Sequence, residues 1–280
     1  MAISVHTVGG LRDLLELDPV KPDAFLGAGP DLGWGRVYGG QVVAQALRAA
    51  TLTVSSEFRA HSLHAYFVRP GIETQPVLFE VERVRDGRSF ATRQVIAFQA
   101  GGAILNLIAS FQVDEAGADV QRFSAPTVPS PDELEPVETD LFFEHRRVRY
   151  QREPDTVATA WMRAIHDLGD DPALHACAFA YLSDEYPLGV AVLPHPAGEN
   201  WDELMAASLD HAIWFHRPFR VDDWLRFDLA GHGVANSRGL ALAHVFGSDG
   251  THVATVAQEG LVRVRRRRGD ADADASTSQP

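Results

Sequence analysis

Two polar residues stand in apolar surroundings where they could do chemistry. Asp210, in Ser208-Leu209-Asp210-His211-Ala212-Ile213-Trp214-Phe215-His216-Arg217-Pro218-Phe219, is a carboxylate just before an aromatic run. Beside Trp214 and Phe215 it would be partly desolvated, which raises a carboxylate's pKa and suits it to general-base work. An Asp that caps a turn is the plainer reading. Gln258, in Ala254-Thr255-Val256-Ala257-Gln258-Glu259-Gly260, lies on an otherwise apolar stretch. A buried amide is costly unless its oxygen and nitrogen both find partners, and a bound water would serve. A backbone contact at a domain interface would serve as well. His211 and His216 share one candidate strand but are five residues apart, so they face opposite ways, and no Cys or Glu completes a zinc-like spacing. No metal is expected. Neither a Gly-x-Ser-x-Gly elbow nor a Walker lysine nor a dinucleotide glycine pattern is present, so no serine triad and no cofactor are expected.

The elements that must hold these residues come in a repeated order. After a short amphipathic helix from Leu11 and a Gly- and Pro-rich stretch from Gly27 to Gly40, the run Gln41-Val42-Val43-Ala44-Gln45-Ala46-Leu47-Arg48-Ala49-Ala50 has too many apolar residues for a surface helix. It predicts a central, buried helix. Strand-like runs follow at His64–Val68, Val77–Val84, Phe90–Ala100 and Ala103–Val113, punctuated by Pro70-Gly71, Asp86-Gly87 and Gly101-Gly102. Residues 114–142 turn to Pro, Ser, Asp and Glu and read as a linker or loose surface excursion. The second half repeats the first. Tyr66-Phe67-Val68-Arg69-Pro70 matches Trp214-Phe215-His216-Arg217-Pro218 at an offset of 148, and Ser110-Phe111-Gln112 matches Val256-Ala257-Gln258 at 146. Ser62 falls opposite Asp210 in that match, so one working site and one vestigial site are expected. A helix over Leu174–Tyr186, started by Asp171-Pro172, takes the slot of the Gln41 helix. Internal duplication is the economical explanation. It divides the chain into 8–115, a linker 116–142, 143–266 and a tail 267–280.

Composition bounds what the site can bind. A net charge of -13 argues against a general nucleic-acid binder. With Lys21 the lone lysine, an anionic ligand would be met by guanidinium forks. The single cysteine, Cys177, lies in a small apolar run and reads as a buried, inert thiol in a reducing compartment. Met1–His6 lacks the pattern of a signal peptide, and no apolar run approaches ~18 residues, so a soluble cytoplasmic protein with no membrane partner is expected. The tail from Arg263 sets arginines against aspartates and reads as solvated.

Taken together, these motifs resemble the acyl-CoA thioesterase II family from about Trp34 to Val264. The resemblance rests on Gly39-Gly40-Gln41-Val42-Val43-Ala44-Gln45-Ala46-Leu47, His61-Ser62-Leu63-His64-Ala65-Tyr66-Phe67-Val68-Arg69-Pro70-Gly71, Val84-Arg85-Asp86-Gly87-Arg88-Ser89-Phe90 and Ala109-Ser110-Phe111-Gln112. In the second half it rests on the Asp210–Phe219 run, Ser237-Arg238-Gly239 and Ala257-Gln258-Glu259-Gly260. It implies an α+β double hot-dog fold, two repeats each with a long helix wrapped by a curved antiparallel sheet. It also implies hydrolysis of fatty acyl-CoA without metal or cofactor, and a homo-oligomer, a dimer of double hot-dogs. The family's catalytic aspartate falls on Asp210 and its glutamine on Gln258. Its Ser or Thr hydroxyl, five or six residues before Ser237, falls on Gly231 and His232. Either His232 or a shifted hydroxyl such as Ser237 then holds the attacking water, or activity is weakened. The competing readings are a non-catalytic acyl-CoA binding protein that keeps the fold and a dehydratase acting on acyl-CoA. The latter is disfavoured because no paired His and acidic motif is evident. An oxyanion would be held at a helix N-terminus, that of the Gln41 helix or of the Leu174 helix.

Overall fold

The computed structural model of the chain describes residues 8–137 and 141–265. Met1–His6 and the tail 267–280 lie outside the described residues, as does the linker's 138–140. The strands are β1 (Asp18–Lys21), β2 (Ala24–Gly27), β3 (Phe58–Phe67), β4 (Val77–Asp86), β5 (Phe90–Gln99), β6 (Gly102–Val113), β7 (Phe143–Gln151), β8 (Val157–Ala164), β9 (Leu204–Ser208), β10 (Asp210–Phe215), β11 (Leu225–Ala235), β12 (Arg238–Gly247) and β13 (His252–Val264). They form one sheet in the order β1-β2-β4-β5-β6-β3-β10-β13-β12-β11-β8-β7, with β9 also on β13. Every pairing is antiparallel.

At the middle of the sheet β3 lies against β10, with Asp210 opposite Tyr66, Ala212 opposite His64 and Trp214 opposite Ser62. Moving each residue by 148 positions maps this set of pairs onto itself, with Ala212 and His64 at its centre. The other expected match does not hold in the register. β3 continues onto β6 with Leu63 opposite Ala109, and β10 onto β13 with Ala212 opposite Ala257. Ala109, rather than Gln112, therefore occupies the place of Gln258. Beyond Ile104 the buried positions on β6 are odd (Leu105, Leu107, Ala109, Phe111), and beyond Val253 those on β13 are even (Ala254, Val256, Gln258). An odd slip in a strand moves a side chain to the other face, a distinction that matching letters does not see.

The helices pack on one face of this sheet. The main helix of the first half, α2 (Gly39–Thr51), follows the short α1 (Leu11–Leu14) and is buried along most of its length, as its Ala-rich run predicts. It packs against α3 (Pro172–Leu182), where Asp171 caps the start by accepting the Ala173 N–H at 3.0 Å. On α3, Phe179 meets Phe215, Phe219 and Phe227, tying the helix to β10 and β11. The expected helix over Leu174–Tyr186 ends early, at Leu182. A second short helix, α4 (Pro187–Val192), follows and lies on β11, β12 and β13. The break between α3 and α4 leaves Ser183 and Asp184 buried at their junction.

The linker is not loose where it is described. It crosses β8, β11 and β13: Arg217 pairs with Asp119, the His252 N–H donates to Gln121 at 2.8 Å, Arg226 donates to the Pro126 carbonyl at 2.6 Å and Trp161 to that of Pro129 at 3.0 Å. Among the described residues, no helix is long and apolar enough to cross a membrane.

Candidate functional site

The site forms where the edge of β13 changes partner. Its residues 260–264 pair with β9 and residues 254–257 with β10, so the chain kinks between the two at Leu209. Across the kink the Leu209 N–H donates to the Glu259 carbonyl at 2.9 Å, and the Glu259 N–H donates to Asp210 Oδ1 at 2.7 Å. The second carboxylate oxygen of Asp210 lies 3.0 Å from His64 Nε2. Asp210 thus sits with His64, Tyr66 and Trp214, on the half-exposed side of the sheet.

Gln258 faces the other way, towards the helices, and is fully buried. Its Oε1 lies 2.5 Å from His211 Nδ1, and its Nε2 donates to the Ser208 hydroxyl at 2.7 Å. With an amide oxygen facing it, His211 Nδ1 carries the proton, and Nε2 faces the Ser183 hydroxyl at 2.8 Å. Burial first of all holds the His211 pKa down to about 4, so the ring is neutral. The buried amide therefore finds both its partners within the protein.

Beside this chain lies a carboxylate that the sequence reading passed over. Asp184 is 7% exposed. Burial pushes its pKa up to about 7, opposed in part by the Gln258 amide and the Gly40 N–H. Its Oδ1 lies 4.0 Å from His211 Nδ1 and makes no hydrogen bond. Its approach to α2 requires glycine, because a side chain at Gly39 would put Cβ 2.7 Å from Asp184 Oδ2. Asp184 follows a mostly apolar helix, α3, and is carried into the core with it; that position is the one signal by which it could have been found.

A cavity of about 640 Å³ opens onto these groups. Its wall includes Tyr38 and Gly39 at the start of α2, Phe67, Asp184, Leu188, and Met205 through Leu209, with Trp34, Arg36, Arg69 and Trp201 around it. Between the two helices considered for an oxyanion, α2 is the one whose N-terminus reaches the cavity. Gln258 lies behind Ser208, and Asp210 one residue beyond Leu209.

Of the three expected site residues, the structure brings Asp210 and Gln258 to neighbouring strands but on opposite faces, and it leaves His232 apart. His232 is exposed, at the irregularity between Gly231 and Val234 on β11. β12 and β13 separate β11 from β10, so three inter-strand spacings, about 14 Å, keep it from Asp210. Ser237 does not take its place, since with Asn236 it forms the positive-φ turn joining β11 to β12. The hydroxyl beside Gln258 belongs to Ser208. Cys177 is buried, which pushes its thiol up to about 12 and leaves it inert. Among the described residues, no group of three or more His, Cys, Asp or Glu side chains is arranged to hold a metal ion.

Known proteins resemble the chain over nearly its whole length. Residues 136–261 match the family model described as acyl-CoA thioesterase, and residues 30–112 that of the acyl-CoA thioesterase N-terminal domain. The chain is 37% identical to acyl-coenzyme A thioesterase 8 of Homo sapiens over 90% of its length and 88% of the relative's. With acyl-CoA thioesterase 2 of Haemophilus influenzae it shares 33% identity, over 91% of this chain and 98% of that one. The crystal structure of acyl-CoA thioesterase II TesB2 from Mycobacterium marinum superposes with a TM-score of 0.82 at 38% identity, covering 91% of this chain and 99% of that one. A protein of hot-dog fold from Alicyclobacillus acidocaldarius, 19% identical, superposes at a TM-score of 0.77 over 91% of this chain and 98% of its own, a likeness of fold. By its matched motifs, its relatives and its hot-dog architecture, the chain belongs to the acyl-CoA thioesterase II family.

Proposed function

We propose that this protein is an acyl-CoA thioesterase, hydrolysing fatty acyl-CoA to a free fatty acid and CoA within a double hot-dog. The two repeats, approximately 8–115 and 143–266, are centred on α2 and α3, with residues 116–142 between them. The register at the β3–β10 seam, which an offset of 148 maps onto itself, supports this reading.

The observation that carries the activity is the Gln258–Ser208 pair behind the cavity wall, next to the N-terminus of α2. The thioester carbonyl lies against the first turn of α2, beside the Gly40 N–H that donates to Asp184 in the free protein, where the helix dipole favours the developing oxyanion. Gln258 and Ser208 hold the attacking water, Ser208 supplying the hydroxyl contact instead of His232. Asp210, which rests on the opposite face against His64, takes the water's proton once its side chain turns through the kink after Leu209. The Asp210–His64 contact must loosen for this, as catalytic hydrogen bonds commonly rearrange when substrate binds. No metal or cofactor takes part. Fatty acyl-CoA is the partner, neither nucleic acid nor membrane is engaged, and the double unit pairs further into a homo-oligomer.

Thiol release from acyl-CoAs of graded chain length tests the reading. Asp210→Asn is expected to slow release by about 10²–10⁴-fold while the fold stays intact. An unchanged rate removes Asp210 as the base. Tight acyl-CoA binding by the wild-type protein with no thiol release makes it a binding protein instead.

A further inference from the structure

Resting on that reading, we propose that Asp184 is a second catalytic carboxylate, which gives its proton to the departing CoA sulfur. Asp184 lines the cavity, one of its oxygens has no hydrogen bond, and the other faces Gly39 at the N-terminus of α2. The oxyanion forms at that helix end, and the sulfur is bonded to the same carbon. A group beside the oxyanion therefore also lies near the leaving atom, which is two bonds from the oxyanion.

The charges around Asp184 favour a proton there. Burial raises its pKa to about 7 against the lowering pull of the Gln258 amide and the Gly40 N–H, and Glu185 adds to the rise. His211 is the titratable group facing it from β10, and it is neutral. Arg36 and Arg69 also border the cavity, as does Glu185. Two carboxylates in unlike surroundings are the usual basis for dividing acid from base. Here Asp210 lies on the half-exposed side with a histidine, and Asp184 is buried without a cation.

The steps balance. Water oxygen bonds to the carbonyl carbon, its proton passes to Asp210, and the carbonyl electron pair moves onto oxygen. As the carbonyl re-forms, the C–S bond breaks and sulfur takes the proton from Asp184. An alkyl thiol has a pKa of about 8.5, so a proton from a group near 7 moves downhill. The carboxylate left behind faces the α2 N-terminus just as the oxyanion vanishes, and the helix dipole holds the new charge. Solvent then carries the proton from Asp210 back to Asp184. The products are a carboxylic acid and a thiol.

The test compares two thioesters of one acyl group, an N-acetylcysteamine ester with an alkyl thiol and a thiophenol ester whose thiolate leaves without a proton. Asp184→Asn is expected to slow the alkyl ester by about 10²-fold and the aryl ester by less than about threefold. Retained aryl turnover also shows that the variant is folded. In the wild type, alkyl turnover should fall as pH rises through about 7 while aryl turnover does not. Equal losses on both esters, no loss on the alkyl ester, or parallel wild-type pH profiles each overturn the proposal. If Asp184→Asn fails to fold, the wild-type profiles decide. Asp210→Asn should slow both esters alike. If it slows neither, the assignment of the base fails, and the alkyl-to-aryl ratio in Asp184→Asn still judges Asp184.

Discussion

Ser208 holds the free end of a buried chain of hydrogen bonds that runs from Ser183 through His211 to Gln258. Removing its hydroxyl leaves a buried amide N–H unpaired, which costs about 1–3 kcal/mol. Ser208→Ala is therefore expected to lower kcat for acyl-CoA by about tenfold or more, the factor that ~1.4 kcal/mol represents. His232→Ala, at an exposed position away from that chain, should leave kcat within about twofold; surface changes of this kind usually stay within ~0.5 kcal/mol. Both rates come from the thiol-release assay, and a loss confined to His232→Ala would reverse the assignment. The sequence made Asp210 and Gln258 visible because each is a polar residue in an apolar strand. Ser208 and Asp184 were hidden for a geometric reason. Ser208 becomes relevant only because the chain kinks at Leu209, and Asp184 only because α3 ends at Leu182 and turns it inward.

At the scale of elements, α4 decides what the second half of the sheet can hold. It lies on three glycines: a Cβ at Gly231 would come 2.7 Å from the Val190 carbonyl, one at Gly260 2.5 Å from Leu188 Cδ1, and one at Gly239 would overlap the Ala191 carbonyl. Gly231, one of the two positions at which the resemblance places a hydroxyl, is thus closed by α4. Gly231→Ser should fail to raise activity and should destabilise the fold by about 1–3 kcal/mol, the usual cost of overpacking. Denaturant unfolding measures the loss, and a stable variant with faster turnover would contradict it. α4 itself was not foreseen, because Pro187-Leu188-Gly189-Val190-Ala191-Val192 is too short to show helical periodicity. The long strands β3 to β6 and the buried α2 were legible, since alternation and an Ala-rich run speak for themselves. The first and last strands of the sheet, β1 and β7, were not, because their mostly polar residues show no clean apolar alternation.

For the molecule as a whole, histidines held neutral by burial are expected to set the acid limit of stability. Outside the helix-packed core, His216, His244 and His252 cluster on the second half of the sheet, where His244 Nδ1 lies 3.3 Å from His252 Nε2. The linker closes over them through Phe123, whose ring stacks on His244 at 4.1 Å. Burial lowers the pKa of all three, that of His252 to about 4, with repulsion from His216 and His244 adding to it. His145 and His211 are likewise held down to about 4 by burial. A histidine whose folded pKa lies below the unfolded value of about 6.5 binds more protons when unfolded, so stability rises with pH between the two values. These groups stabilise the fold fully above pH ~6.5, and that stability is lost as pH falls towards 4. Tm is therefore expected to drop steadily from pH 6.5 to 4. His252→Gln removes one of the titrating groups and should flatten the drop, while Phe123 keeps its stacking partner in His244. Hydrogen exchange across residues 119–129 should rise over the same interval in the wild type, since Gln121, Phe123 and the Pro126 carbonyl tie the linker to this surface. A Tm that is flat from pH 6.5 to 4, or equally steep in His252→Gln, would mean that the cluster beneath the linker does not set the acid limit.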